Sequence, residues 1–270
     1  MPITPLIDVH SHLGQFTHAP MSADGARLAA LHRGAGITHG VTFSIEACYG
    51  GVDAGNRYTL DEVARQPALS AMVVAHPRHL EASARWVAAG RGNPNVVGIK
   101  LHPVLGQWDI LSVASFKLMD EVIAPSGYTV LSHVGNESPL VPIDKYLKLA
   151  ERFPGVRFIA AHLGTGIMGL SDATIDAWRD RPLPNVWFDM GTLRAFHTGA
   201  VEAVVAAVGP DRVCFGTDAP LYHPAPFVRL LEALELPDAV KNAIASENVL
   251  NAIPQLRERV AAPRHGYDRR

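Results

Sequence analysis

Two histidines one residue apart close a short apolar run near the amino terminus, Leu6-Ile7-Asp8-Val9-His10-Ser11-His12. Alternate side chains of an extended strand share a face, so His10 and His12 can grip one cation together. Other apolar runs end in groups of the same chemistry: His133 in Leu131-Ser132-His133-Val134-Gly135, His162 in Ala161-His162-Leu163-Gly164, and Asp218 in Phe215-Gly216-Thr217-Asp218-Ala219-Pro220. Neutral imidazoles with one carboxylate suit one divalent zinc or a neighbour such as manganese, whereas calcium or magnesium would want more oxygens.

Something must hold these groups together. Eight strand-length apolar runs, at 6–10, 37–45, 69–76, 96–101, 129–134, 156–162, 186–190 and 213–217, alternate with helical patterns. Leu28, Ala29 and Leu31 form the buried stripe of the first helix, which closes at Gly34 or Gly36. Thr59-Leu60-Asp61-Glu62 has the spacing of a reciprocally capped helix start. Helical patterns follow at 80–89 with Gly90 as a stop, at 116–123, 144–153, 172–178 and 200–208, and from 227 to about 260 with a breaker at Pro237. The alternation, without an internal linker, predicts an α/β fold: one (β/α)8 TIM barrel over 1–262 with C-terminal helices, and a disordered tail over 263–270.

In such barrels functional groups sit at the carboxyl ends of the strands. The candidates fall there in series: His10 and His12, Glu46, His76, Lys100 and His102, His133, His162, Asp189 and Asp218. Gly98, Lys100 and His102 alternate with Val97, Ile99 and Leu101, so Lys100 should project inward. Asp8 shares the His10 face one step deeper, where a supporting hydrogen bond suits it better than ligation. His76 and His102 precede prolines, and each is either a cap or a substrate contact. Asp189 equally suits bracing a neighbouring strand. Glu46, Tyr49, Arg194, His197, Tyr222 and His223 fall in loops around the mouth and are candidates to select substrate, while 14–22 and 47–58 are candidate lids. His18, His32, His39, His79 and His265 lie outside the pattern and read as surface residues. Cys48 near the mouth reads as inert.

Composition narrows the class. The chain has 270 residues, 48% hydrophobic and 19% charged, enough for a large core. Net charge is −2 with both signs scattered, which gives no footprint for nucleic acid or an anionic membrane. No stretch is apolar for long enough to cross a bilayer, the start lacks a targeting pattern, and two cysteines without spaced partners fit a reducing compartment, so a cytoplasmic protein is expected.

Together these residues resemble the amidohydrolase superfamily, in its second large branch, which holds metal-dependent hydrolases and decarboxylases of the aminocarboxymuconate-semialdehyde type. The resemblance runs from Asp8-Val9-His10-Ser11-His12, through Gly98-Ile99-Lys100-Leu101-His102-Pro103, to Phe215-Gly216-Thr217-Asp218 and Glu247-Asn248, nearly the whole chain. It implies one divalent metal on His10, His12, His133 and Asp218, with His162 orienting water or substrate. A bound cation lowers the pKa of water from ~15.7 towards ~7, and Asp218 could accept the water proton. Binuclear relatives instead carry a carboxylated lysine at the position of Lys100, bridging two metals. Unmodified, Lys100 could hold a substrate carboxylate or phosphate, with His102 and Arg194 as further substrate contacts.

The expected activity is hydrolysis of an amide, lactone or ester of a small molecule. The alternative is a metal-dependent non-oxidative decarboxylase of a small carboxylated ring, against which chain length counts, since those relatives are generally longer. A TatD-like nuclease should show an early or middle glutamate motif and a Glu-Thr-Asp ending, where this chain has Gly216-Thr217-Asp218. A non-catalytic barrel fits poorly with a full set of ligand types. Self-association, forming a homo-oligomer, is common among such relatives.

Overall fold

The computed structural model describes residues 5–17, 20–165 and 172–261. His18, His265 and the expected tail at 263–270 lie outside the described residues. Runs rich in Val, Ile and Phe, buried on both faces, pair as parallel strands, and one short antiparallel strand joins them. They are β1 (Ile7–Gln15), β2 (Ser22–Ala23), β3 (His39–Ser44), β4 (Leu69–Val74), β5 (Val96–Leu101), β6 (Thr129–Ser132), β7 (Phe158–Ala160), β8 (Val186–Asp189) and β9 (Val213–Cys214). Their order in the sheet is β2-β1-β3-β4-β5-β6-β7-β8-β9. β2 is antiparallel to the end of β1, and the other pairs are parallel.

The sheet curls until β1 meets the segment after β9. Val9 N donates to Phe215 O (3.0 Å), Asp218 N to His10 O (2.8 Å) and His12 N to Ala219 O (2.6 Å). The architecture is a curled, mostly parallel nine-stranded sheet with flanking helices, a distorted (β/α) barrel. One buried cluster joins Leu28, Ile99, Leu101, Tyr146, Leu147 and Phe227 between strands and helices. A second joins Ile7, Val9, Phe43, Met72, Leu131 and Ile159 with Val249, Ala252 and Ile253 of the C-terminal helices. Thr129, at the start of β6, donates to Ala252 O (2.5 Å), so these helices pack at the opposite end from the candidate site.

Several local expectations are corrected. The helix Val52–Ala64 already includes Thr59, whose hydroxyl donates to Gly55 O (2.9 Å) inside the helix instead of capping its start. Most of 47–58 is therefore helix: Ile45–Cys48 and Val52–Ala64 leave only a short turn at 49–51 as loop. Within 14–22, Gly14 and Gln15 pair with Ala23 and Ser22 as an antiparallel ladder. The helix Val113–Leu118 starts earlier than its pattern and runs on through a π-turn, Met119–Ile123.

Strand alternation also breaks where pairing slips. The β1–β3 register shifts between Asp8 and Ser11, so Asp8 leaves the His10 face and its Oδ2 lies 3.0 Å from His32 Nε2 on the helix Gly25–Ala35. The β4–β5 register shifts too, and Val97 packs with Val9 and Phe43, apart from Ile99 and Leu101. His32 and His39 are buried, not surface residues, and His39 Nε2 bonds Ser70 Oγ at 2.9 Å.

Candidate metal centre

Midway along β1 the rings of His10 and His12 meet the carboxylate of Asp218. His12 Nε2 is 2.9 Å and His10 Nε2 3.4 Å from Asp218 Oδ1. All three are buried, with donor atoms within 4.8 Å of one another, a grouping able to hold a metal ion. Asp218 has φ of 59°, in the left-handed region that costs a non-glycine residue about 1–3 kcal/mol. The neighbouring strand holds it there through the bond from Asp218 N to His10 O. Asp8 braces the same segment, accepting from Thr217 Oγ1 (2.5 Å), Thr217 N (3.1 Å) and His10 N (3.0 Å). This is the supporting role expected of it, reached from a different face.

A second grouping shares His10 and adds His162 and Asp189. Asp189 Oδ2 lies 3.0 Å from His10 Nδ1, while its Oδ1 accepts from His162 N (3.2 Å) and Gly191 N (2.9 Å). A carboxylate here does more than brace a strand: it ties two candidate ligand segments together. His162 also has left-handed φ (61°), and its Nδ1 is 2.6 Å from the carbonyl of Gly191. A carbonyl only accepts, so the proton is on Nδ1 and Nε2 keeps its lone pair.

His133 stands beside His162 and outside both groupings. Its Nδ1 is 3.0 Å from His162 Nε2 and its Nε2 2.8 Å from Glu137 Oε1. The ring of His102 stacks on it at 4.4 Å, and His102 Nδ1 accepts from Leu105 N (3.3 Å) as a helix cap. His76 also caps its turn, accepting from Arg78 N at 3.1 Å. Lys100 does point inward: wholly buried, its Nζ is 3.2 Å from His10 Nε2 and 4.4 Å above the Phe43 ring. Arg194 lies on the turn Leu193–Phe196 after β8, its Nη1 3.4 Å from His197 Nε2. Asn248 anchors the end of the fold, donating to Pro210 O and Val213 O.

Burial sets the electrostatics. Desolvation, then the charge of Lys100, holds His10 and His12 well below the ordinary histidine range, so both are neutral lone-pair donors. Burial pulls Lys100 down to about 8 and pushes Asp218 up to about 7, against the pull of His162 and Lys100. Burial also raises Asp189, which His162 opposes. For Glu137, burial is the largest influence and works upward, but the hydrogen bond from His133, the charge of that ring and a backbone hydrogen bond together outweigh it and hold the carboxyl below its usual range. Two imidazoles and a carboxylate, all buried and convergent, fit a transition-metal ion.

Glu137 and the tie through Asp189 were not legible beforehand. Glu137 follows His133 by four residues, a spacing without strand or helix meaning once the chain leaves β6.

The fold and this cluster define a metal-binding barrel. Residues 7–250 match the Amidohydro_2 family, described as amidohydrolase, and the chain belongs to that family. No curated protein sequence matches it significantly. Among solved structures, 5-carboxyvanillate decarboxylase from Sphingomonas paucimobilis is 15% identical, with TM-score 0.69 over 93% of this chain and 99% of that one. A dihydroxybenzoic acid decarboxylase from a Polaromonas species, with bound manganese and 2-nitroresorcinol, is 14% identical with TM-score 0.73 over 96% and 99%. A probable 2-pyrone-4,6-dicarboxylic acid hydrolase from Acinetobacter baumannii, with citric acid bound, is 13% identical with TM-score 0.68 over 92% and 99%. At these identities the likeness is one of fold.

Proposed function

We propose that this protein is a metal-dependent, non-oxidative decarboxylase of a small carboxylated ring compound, working in a single-domain (β/α)8 barrel closed by the β1 contacts to 215–219. His10, His12 and Asp218 would hold one divalent ion, zinc or manganese, with His133 completing the set. The observation that carries the reading is Lys100, a buried cation 3.2 Å from His10 Nε2. Together with a divalent ion it outweighs the negative charge of Asp189 and Asp218, and favours an anionic substrate. Solved relatives of this fold include decarboxylases of carboxylated aromatic rings. The overlays span 99% of these two decarboxylase chains, so length does not count against the reading.

A bound divalent ion would supply Lewis-acid charge that orients the carboxylated ring. Lys100 would pair with an acidic oxygen of the substrate, with His102 and Arg194 as further contacts. Loss of CO2 leaves a carbon that must gain a proton. Asp218, at the centre itself, is placed to hand on that proton, and His162 to orient the ring beside it. Hydrolysis of an amide, lactone or ester is the second reading, favoured by the same carboxyl, which can accept a proton from water near neutral pH. Buried, unpaired Cys48 and Cys214 support a reducing, cytoplasmic setting; a small-molecule substrate and no nucleic-acid partner belong to the same proposal. Among the described residues no helix is long and apolar enough to cross a membrane.

The test is to load the protein with Mn2+ or Zn2+ and present hydroxybenzoates, carboxylated pyrones, lactones and amides. Release of CO2 with a protonated ring product supports the proposal. Ring opening or amide cleavage without CO2 would replace it with the hydrolase reading.

A further inference from the structure

Glu137 belongs to none of the ligand sets above, yet its carboxylate is turned back onto the site. Oε1 meets His133 Nε2 at 2.8 Å, and Oε2 is buried without a hydrogen-bond partner among the described residues. The chain makes room for it at Gly135, where an added Cβ would collide with both carboxylate oxygens. The backbone of Gly135 needs no left-handed φ, so the missing side chain, not backbone freedom, is what this position provides.

An ionised carboxylate only accepts hydrogen bonds, so it fixes a proton on His133 Nε2. The other nitrogen, Nδ1, faces the centre 3.0 Å from His162 Nε2; because that atom keeps its lone pair, a proton lies between the two rings, in the place a metal ion would take. Asp189 does the same for His10 from the other side, through His10 Nδ1. We propose that Glu137 is a positioning residue, which uses the space left by Gly135 to lock His133 with Nε2 protonated and Nδ1 presented to the metal. The inference rests on the reading of His133 as a ligand, and not on which reaction the centre performs.

The expected effect is that of losing an outer carboxylate on a ligating histidine, a ~10–100-fold fall in metal affinity. Zn2+ affinity, measured by chelator competition, should fall by that factor in Glu137→Ala and recover most of it in Glu137→Gln, whose amide oxygen can still accept from Nε2. Gly135→Ala should reproduce the loss by displacing the carboxylate, and adding it to Glu137→Ala should cost nothing more. In metal-free protein the 15N signals of the His133 ring should show Nε2 protonated in the parent and in Glu137→Gln, and partly unprotonated in Glu137→Ala. Unchanged Zn2+ affinity and ring protonation in a folded Glu137→Ala would overturn the proposal, as would additive losses in the double variant. Both readouts are independent of substrate. A failed CO2 assay therefore leaves this inference standing, and its failure leaves the decarboxylase reading open.

Discussion

Asp189 and His10 meet through Oδ2 and Nδ1 at 3.0 Å, both side chains buried, and this contact decides which imidazole nitrogen faces the centre. The proton is held on Nδ1, and Nε2 turns its lone pair towards Asp218 and Lys100. The other oxygen of Asp189 accepts from two backbone N–H groups. Asp189→Asn keeps the shape but must place its NH2 either against both backbone donors or against the N–H of His10 Nδ1. The variant should fold, and bind Zn2+ ~10–100-fold more weakly than the parent in a competition titration. Parent-like binding would show that His10 needs no such partner.

Replacing Lys100 should separate substrate binding from metal binding. Lys100→Met removes a buried cation and keeps an unbranched chain of similar length. Metal content should stay near one per chain, while KM for a carboxylated substrate rises about tenfold or more, the scale of one lost charged contact. A fall from two metals to one would establish instead the carboxylated, bridging lysine.

Thr217 ties Asp8 to the segment that carries Asp218. Thr217→Val is nearly isosteric and leaves a buried carboxylate oxygen of Asp8 without that donor. Urea unfolding should show a loss of about 1–3 kcal/mol, with weaker metal binding, because Asp218 is held in a strained conformation by the same segment. Loss of stability with unchanged metal affinity would uncouple the two.

Cys48 is fully buried, and its thiol is pushed up to about 12 by desolvation, which Lys100 only partly offsets. The thiolate is the nucleophile, and at pH 8 almost none is present. Iodoacetamide should leave Cys48 unmodified in the folded protein over a period that labels it fully in urea. Rapid native labelling, located by mass spectrometry, would contradict this.

Strand positions were legible because buried parallel strands leave dense apolar runs, and the series of polar residues closing those runs marked one end of the sheet. Face assignments held for Lys100 and failed for Asp8 and Val97, since alternation survives only where register does, and both strands slip against a neighbour. The helix through Thr59 was misplaced because a cap motif and a mid-helix Thr look alike in a linear chain, and only the bond to Gly55 tells them apart. His32 and His39 read as surface residues because their buried partners, Asp8 and Ser70, are about 24 and 31 residues away in the chain. Glu137 had no periodic signal, since it reaches His133 by a loop folding over a glycine.

The most direct test is metal content per chain, by plasma mass spectrometry on protein purified without chelator or added metal. It should be measured for the parent and for Asp218→Ala, with circular dichroism to confirm folding. About one transition-metal ion in the parent, lost in the variant, is the predicted result. No metal in the parent, even after reconstitution with Zn2+ and Mn2+, would contradict a metal-dependent enzyme built on His10, His12 and Asp218.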